Sequence, residues 1–325
     1  MIEIIEECCQ AYDTIINHMR TIVTHRSSDL DAIMSVWLIK RYIPSWLDAR
    51  VSFVPAGGKL EGEYTEQGGA IEKMGENEVI HVDTGMGALD HHQEDNDSVC
   101  AAKLTYDYVI QNPDNTLTLN VTRQKAIERM VEIAIDVDHF QEVYYQDPTS
   151  YIYDFSVIET INGFRMMYPK DDQALVEFIM KVLDAQVHAF ENRIWAEEEI
   201  AQKGVEFDTK WGKGLGIETL NDETLKLAQK MGYVLTVRKD PHLASVRVKV
   251  RPKKRQKIQE NAKTDFESID IDLTPVYEKL KEMDPEATWF LHAGKRMLLN
   301  GSSKNPEMRG SKISLDEVIE VLKNI

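Results

Sequence analysis

The sequence has few cysteines and no long apolar run. Three cysteines in 325 residues exclude the disulfide framework of small secreted domains, and they fit a reducing cytoplasm. No apolar stretch approaches the roughly 20 residues that a membrane-spanning helix needs. The first residues are acidic where a signal peptide would be basic. We therefore expect a cytoplasmic protein that does not interact with a membrane.

Positive charge is also scarce. The chain has 38 Lys and Arg but 55 Asp and Glu, which gives a formal net charge of −17 at pH 7. Such a protein is not expected to coat long duplex nucleic acid by general attraction. Short or small phosphorylated substrates remain compatible if positive charge is concentrated locally. One such concentration is the basic strip, residues 247–257, with seven basic residues in eleven. It fits either a track for a nucleic-acid backbone or an edge strand protected by Lys and Arg.

Strand and helix signals alternate in the first half of the chain, which predicts an α/β fold with a mostly parallel sheet flanked by helices. The predicted strands are Thr21–Thr24, Val51–Pro55 and Val79–Val82. The predicted helices are Leu30–Tyr42, Ala101–Ile110 and Thr122–Ile135.

The second half begins with a stretch that contains neither Pro nor Gly, Asp172–Gln202, and its apolar spacing predicts a long helix. Residues 203–216 are rich in Gly and Lys, and we interpret them as a boundary. A smaller α/β domain follows, and its last helix, Ser314–Leu322, carries a capping box of Ser314 and Glu317. We predict a first domain at 1–170, a connecting helix at 171–204 and a second domain at 205–325.

Four segments of the first half carry His and Asp in patterns that suit metal binding, and each also has a plain structural interpretation. Asp29 and Asp31 fit ordinary helix-capping residues, Asp83 fits a turn, and the triplet at 90–92 fits a polar surface loop. His139 fits a helix terminus, where a cation is favourable. The segments are His25-x-x-x-Asp29-x-Asp31, Asp83, Asp90-His91-His92 and Asp136-Val137-Asp138-His139.

Taken together, the four segments favour the metal interpretation. Two or more imidazoles and several carboxylates without a thiolate suit hard or borderline divalent ions such as Mn²⁺ or Mg²⁺. The ligands suffice for two ions bridged by one Asp, and such a pair activates water and stabilises phosphoryl charge.

The order of these motifs resembles the DHH phosphoesterase superfamily, which includes RecJ-like exonucleases, oligoribonuclease-type phosphatases, cyclic-dinucleotide phosphodiesterases and family II pyrophosphatases. The matching segments cover about 140 residues. They are His25-Arg26-Ser27-Ser28-Asp29-Leu30-Asp31-Ala32, Val82-Asp83-Thr84-Gly85 and Leu89-Asp90-His91-His92-Gln93.

The resemblance implies a role for each position. It places His25, Asp29 and Asp83 on one ion, and Asp31, Asp83, His91 and an Asp of the fourth segment on the other. His92 then faces the scissile phosphate and Asp90 supports it. For the fourth segment the family pattern favours Asp136, which precedes Phe140 by four residues, whereas a variant pattern favours Asp138.

The second half is more faintly similar to the superfamily's substrate-binding domain, and the Gly-Gly-x-His element usual there is absent. In its place the chain offers backbone amides, hydroxyls and cations that suit a phosphate. The alternative is a plain turn between two elements. The substrate-binding candidates are His292, Arg296, Gly301, Ser302, Ser303 and Lys304.

The sequence therefore predicts a two-metal phosphodiesterase that hydrolyses short oligonucleotides or nucleotide-like substrates. We expect it to cleave them from one end, as an exonuclease does. A pyrophosphatase or small-molecule phosphatase of the same superfamily is the first alternative. A nucleotide-binding regulator without turnover is the second. The oligomeric state is left open, a homodimer included.

Overall fold

A computed structural model describes residues 19–93, 95–253, 270–301, 305 and 307–325. The α/β class is confirmed, because the described residues form two mixed sheets and eight α-helices. The chain divides into two units, one ending at Glu191 and the other beginning at Asn192. Within the described residues, every helix is too short or too polar to cross a membrane.

The first unit is built on a four-stranded sheet of order β2-β1-β4-β3. Its core strand β1 is buried on both faces, as expected of its β-branched sequence. Strands β2 and β4 both pair with β1 in parallel. The strand bounds are β1 Arg20–His25, β2 Arg50–Val54, β3 Glu72–Met74 and β4 Asn77–His81.

The sheet is mixed, so the prediction of a mostly parallel sheet is met only in part. Strand β3 was not predicted, and it pairs with β4 in the antiparallel sense. Only Gly75 and Glu76 separate the two strands, and a two-residue connection can join only antiparallel neighbours. Gly75 has a φ of 61°, which a side chain rarely adopts and a tight hairpin turn needs.

Helix α1 lies at the centre of the first unit's core, with Trp37 and Ile33 fully buried. Its bounds, and those of α2 and α3, agree closely with the sequence prediction. Helix α4 was not predicted, and Ile161 is its only buried residue. The bounds are α1 Leu30–Tyr42, α2 Ala101–Gln111, α3 Val121–Asp138 and α4 Val157–Met167, with 3-10 turns at Pro44–Trp46, Leu117–Leu119 and Gln141–Tyr144.

The long helix is confirmed as α5, Asp172–Lys203. The division between the two units falls inside it, and the domain limits at 170/171 and 204/205 stay predictions. The boundary at 203–216 also stays a prediction, and these residues contain strand β5 and most of β6. Val205 to Thr209 pair with β6 across a tight turn and so form a short hairpin. The Gly and Lys content of this segment did not predict these strands.

The second unit is a six-stranded mixed sheet of order β5-β6-β7-β8-β10-β9 with helices packed on it. The capping box of Ser314 and Glu317 at the last helix is confirmed. The bounds are β5 Val205–Thr209, β6 Gly212–Glu218, α6 Glu223–Lys230, β7 Leu235–Lys239, β8 Val246–Val250, α7 Thr274–Met283, β9 Phe290–Leu291, β10 Met297–Leu299 and α8 Leu315–Asn324.

The basic strip begins inside this sheet. Strand β8 lies between β7 and β10, so the edge-strand interpretation of the strip is wrong. Arg247 forms an ion pair with Asp222 at 2.5 Å, and Lys253 forms one with Asp270 at 2.9 Å. Residues 254–257 of the strip lie outside the described residues, and the nucleic-acid track stays a prediction.

Candidate metal centre

The site forms where two neighbouring parallel strands end. His25 is the last residue of β1, and Asp83 follows the end of β4 by two residues. Because parallel strands present their carboxyl ends at the same sheet edge, these side chains meet although 58 residues separate them. His25 Nε2 lies 3.1 Å from Asp83 Oδ2. This edge is where an open α/β sheet places its ligands.

Asp83 is held by an unusual backbone. Its φ of 52° lies in the left-handed region, which Asp tolerates better than most residues. Its amide donates to the Leu89 carbonyl at 3.0 Å, so the turn that carries Asp90 closes back onto Asp83. Gly85 also has a positive φ, and a Cβ there would stand 3.2 Å from the His81 ring. The sharp turn is therefore tied to Asp and Gly at these positions.

The first group of potential ligands is His25, Asp29 and Asp83, whose ligand atoms all lie within 4.8 Å of one another. The Nδ1 of His25 donates to the Arg26 carbonyl at 2.9 Å, which directs Nε2 towards the carboxylates. A metal-binding histidine is usually oriented in this way. Asp29 does cap α1, since its Oδ1 accepts from the Ala32 amide, but its Oδ2 stands 3.8 Å from His25 Nε2.

The second group surrounds His91. Its Nε2 lies 3.8 Å from an oxygen of Asp31, 3.8 Å from one of Asp83 and 3.4 Å from one of Asp138. None of these approaches has the geometry of a hydrogen bond. The separations are close to the roughly 3 Å between neighbouring ligand atoms that surround a small divalent ion at 2.0–2.1 Å. Asp83 contributes one oxygen to each group and so stands between them.

The fourth segment contributes Asp138, which corrects the preference for Asp136. Both lie in the last turn of α3, but two residues along a helix differ by about 200° in direction. Asp138 is partly buried and faces His91, whereas Asp136 is exposed. The motif spacing alone does not reveal which face of α3 packs towards the triplet.

Asp90 and His92 form a pair of their own. Asp90 is buried, and it accepts from the Met86 amide at 2.8 Å and from the His92 Nδ1 at 2.8 Å. The side chain of His92 is 58% exposed, and its ring lies against that of His91 with centroids 4.4 Å apart. His92 is therefore oriented by Asp90 at the open side of the cluster, the name used here for the two ligand groups together.

The carboxylates of the cluster are destabilised as anions. Burial, followed by the charge of Asp83, raises the pKa of Asp31 well above its ordinary value. Burial is also the largest cause that raises the pKa of Asp83 and that of Asp138. For His25, burial is the largest single cause and opposes protonation, but the hydrogen bonds to Asp83 and Arg26 and the charges of Asp29 and Asp83 together outweigh it, and the pKa rises to about 9. The cluster thus attracts positive charge.

Two buried atoms in the cluster have no hydrogen-bond partner among the described residues, Asp83 Oδ1 and His91 Nε2. An unpaired buried polar group costs about 1–3 kcal/mol, so such atoms are rare without a function. Both atoms are of the kinds that bind divalent ions, and they face each other across 3.8 Å. The donor set of imidazole nitrogen and carboxylate oxygen therefore fits Mn²⁺ or Mg²⁺.

The sequence did not reveal the backbone amides that orient Asp31. Both oxygens of Asp31 accept backbone amides at the start of α2, from Ala101 at 2.8 Å and Ala102 at 2.7 Å. The predicted start of that helix was the available signal, because free amides there bind carboxylates. His139 Nε2 donates to the Val99 carbonyl at 2.9 Å, which supports its structural interpretation.

The substrate-binding candidates lie in the second unit. His292 is exposed in the turn between β9 and β10, where its Nδ1 accepts from the Gly294 amide, as in the plain-turn alternative. Arg296 donates to the Arg251 carbonyl at 2.7 Å. Gly301 is buried beyond β10 with a φ of 109°. Ser302, Ser303 and Lys304 lie outside the described residues. A ligand role for this set stays a prediction.

Comparison with known proteins adds nothing to this geometry. No protein-family model matches the chain, and no curated protein matches it. The arguments for a function therefore rest on the motifs and on the cluster.

Proposed function

We propose that the protein is a divalent-metal-dependent phosphodiesterase that binds two ions, Mn²⁺ or Mg²⁺, and hydrolyses short oligonucleotides or nucleotide-like substrates. The observation that carries the proposal is the pair of unpartnered buried atoms, Asp83 Oδ1 and His91 Nε2, within a ring of destabilised carboxylates. The ordered motifs that resemble the DHH phosphoesterase superfamily support the same function.

In this proposal His25, Asp29 and Asp83 hold one ion, and Asp31, Asp83, His91 and Asp138 hold the other. Two ions bound there would supply an activated water and stabilise the charge that develops on the phosphoryl group. Asp83 would contribute a carboxylate to both ligand groups. The Ala101 and Ala102 amides orient Asp31, and the Arg26 carbonyl orients His25, so both present a fixed atom to the site.

His92 contacts the substrate in this proposal. Burial is the largest single cause and lowers its pKa, but the hydrogen bond to Asp90 and the charges of Asp83, Asp90 and Asp138 together outweigh burial, and the net shift of the pKa is upward. A protonated His92 donates through Nδ1 to Asp90 and keeps its Nε2 proton for a phosphoryl oxygen. Asp90, whose own pKa is lowered by the His92 and Met86 hydrogen bonds against the effect of burial, is a positioning residue.

The proposal is tested by hydrolysis assays with Mn²⁺ on short single-stranded RNA and DNA, a cyclic dinucleotide, a nucleotide bisphosphate and inorganic pyrophosphate. We expect cleavage of the oligonucleotides, lost in Asp31→Ala and in His92→Ala. The control is Asp136→Asn, an exposed acid of the same helix that holds Asp138. Wild-type rates in Asp31→Ala would refute the mechanism.

The same substrates separate the alternatives. Cleavage of pyrophosphate or of the bisphosphate without cleavage of oligonucleotides would indicate a pyrophosphatase or small-molecule phosphatase. Nucleotide binding without turnover on any substrate would indicate a regulator. Anomalous scattering from crystals soaked in Mn²⁺ gives an independent test, in which we expect two peaks a few Å apart on either side of Asp83.

A further inference from the structure

A second feature of the first unit suits phosphate groups, and it lies outside the metal cluster. A cavity of about 920 Å³ runs along β2 between the end of α1 and the start of α5. We call it the β2 cavity. Its size is at the upper end of the range for small-molecule sites. Its lining includes five basic residues and one acidic residue, Glu177, although the protein as a whole is strongly acidic.

The five cationic side chains differ in whether they already have a partner within the protein. Arg41 forms a two-point ion pair with Asp184, and Lys40 donates to the Ala49 carbonyl. The other three, Arg26, Arg50 and Lys181, are exposed and form no side-chain hydrogen bond or ion pair with any residue in the described ranges. Three unneutralised cations in one cavity repel one another, and a bound anion would relieve that repulsion.

The strand itself adds further donors. Within the described part of the sheet β2 is an end strand, paired only with β1, and Val51, Ser52 and Phe53 line the cavity. The backbone groups that β2 directs away from β1 are therefore available to a ligand. An anion in the cavity would meet both amide donors and guanidinium groups, and guanidinium groups match phosphate geometry well.

The cavity is linked to the metal cluster through the chain. Arg26, which lines the cavity, directly follows His25, and its carbonyl orients the His25 ring. Arg50, at the other end of the cavity, pairs with Thr21 of β1, four residues before His25, so roughly 13 Å of sheet separate it from the cluster. An oligonucleotide that is cleaved beside His25 would reach Arg50 with phosphates beyond the cleaved one.

We propose that the β2 cavity binds phosphate groups of an oligonucleotide beyond the phosphate that is cleaved, with Arg50 and Lys181 as direct contacts. This inference rests on the proposed function, because it takes an oligonucleotide as the substrate. It explains how a strongly acidic protein attracts a polyanion: positive charge that the chain lacks overall is concentrated along β2, in a cavity whose lining begins at Arg26, next to His25.

The test is a binding measurement that does not depend on catalysis. A fluorescent single-stranded hexanucleotide is titrated in EDTA by anisotropy, at several salt concentrations, with the wild type and with Arg50→Gln/Lys181→Gln. Each phosphate contact to a single strand contributes about 0.7 to the salt slope, or about five-fold in affinity at 0.1 M salt. We expect the double variant to bind about 25-fold more weakly and its slope to fall by about 1.4.

The matched control is Lys230→Gln/Lys312→Gln, two exposed lysines of the second unit, which should leave affinity and slope unchanged. Equal binding by the wild type and the Arg50/Lys181 variant would overturn the inference. So would an absence of wild-type binding, or equally effective competition by hexaglutamate, an acidic peptide of comparable charge. Mn²⁺-dependent hydrolysis of the same hexanucleotide is assayed separately. Any of these binding results together with cleavage by the wild type would refute the inference and leave the proposed function standing, whereas an absence of cleavage would count against the proposed function itself.

Discussion

Both units bury ionisable side chains, but these side chains differ in how completely they are hydrogen-bonded. In the second unit Lys239 donates to the carbonyls of Ser311 and Ile313, and Asp284 accepts from the Ser311 hydroxyl and the Lys312 amide. In the first unit Asp31 and Asp83 are equally buried, yet Asp83 keeps an unpaired oxygen.

The pKa shifts follow this difference. Burial is the largest single cause and would raise the pKa of Asp284, but the hydrogen bonds from Lys312, Ser311 and Ala287 and the charge of Lys312 together outweigh it, and the net shift is downward. For Asp31 and Asp83 burial and the neighbouring acids prevail, and the shift is upward. A buried carboxylate with a lowered pKa stabilises a fold, whereas buried carboxylates with raised pKa values are held where their charge is disfavoured, which is a common property of functional sites.

The largest expected effect is on catalysis. Asp83→Asn removes the carboxylate shared by the two ligand groups, and we expect kcat/KM with Mn²⁺ to fall about a thousand-fold. That loss corresponds to about 4 kcal/mol of transition-state stabilisation, the scale attributed to a bound metal. The matched control is Asp284→Asn, an equally buried acid of the second unit, which should leave kcat/KM unchanged in the folded protein. Similar activity losses in both variants would contradict the distinction.

The next effect is on local stability. A ligand that binds only the folded state at 100 times its Kd adds about 2.7 kcal/mol. We therefore expect Mn²⁺ to slow hydrogen exchange about 100-fold at amides that hold the cluster, those of Asp83, Ala101 and Ala102. Amides of β7 and β8 in the second unit should exchange as before. EDTA should reverse the change, and equal protection of both units would show that the ion binds elsewhere.

A smaller effect concerns the second unit alone. Asp284→Asn loses charged hydrogen bonds and should lower the free energy of unfolding by about 2 kcal/mol at pH 7. Because the pKa of Asp284 is below its ordinary 3.8 in the folded state, this contribution is complete above about pH 4. It is lost as the pH falls through the folded value. Urea unfolding at pH 7, 5 and 3 should show a difference that shrinks only at pH 3. Asp208→Asn, at an exposed position of β5, is the control.

Much of the site could be predicted from the sequence because local signals fix it. A β-branched run predicts β1, the cap at Asp29 predicts the start of α1, and parallel strands end at one edge. His25, Asp31 and Asp83 are therefore placed near one another by topology alone. The helix starting at Ala101 was also predicted, although its amides were not connected with Asp31.

Other features depend on packing, which the sequence does not display. Strand β3 has only three residues and no clear alternation, so nothing local distinguishes it from a loop. The position of β8 inside the sheet depends on its pairing with β10, which lies about 50 residues later in the chain. The β2 cavity likewise depends on where α5 packs, and its cations are spread from Arg26 to Lys181.

The smallest expected effect is that of substituting Asp136, the residue that the motif spacing favours as a metal ligand. Asp136 is exposed on α3, and Asp138 stands 3.4 Å from His91. Asp136→Asn should change kcat/KM and the Mn²⁺ affinity by less than about two-fold, since isolated surface substitutions stay within about 0.5 kcal/mol. Asp138→Asn, two residues away on the same turn, should weaken Mn²⁺ affinity at least ten-fold by isothermal titration. The reverse order would mean that the motif spacing, and not the packing of α3, identifies the ligand.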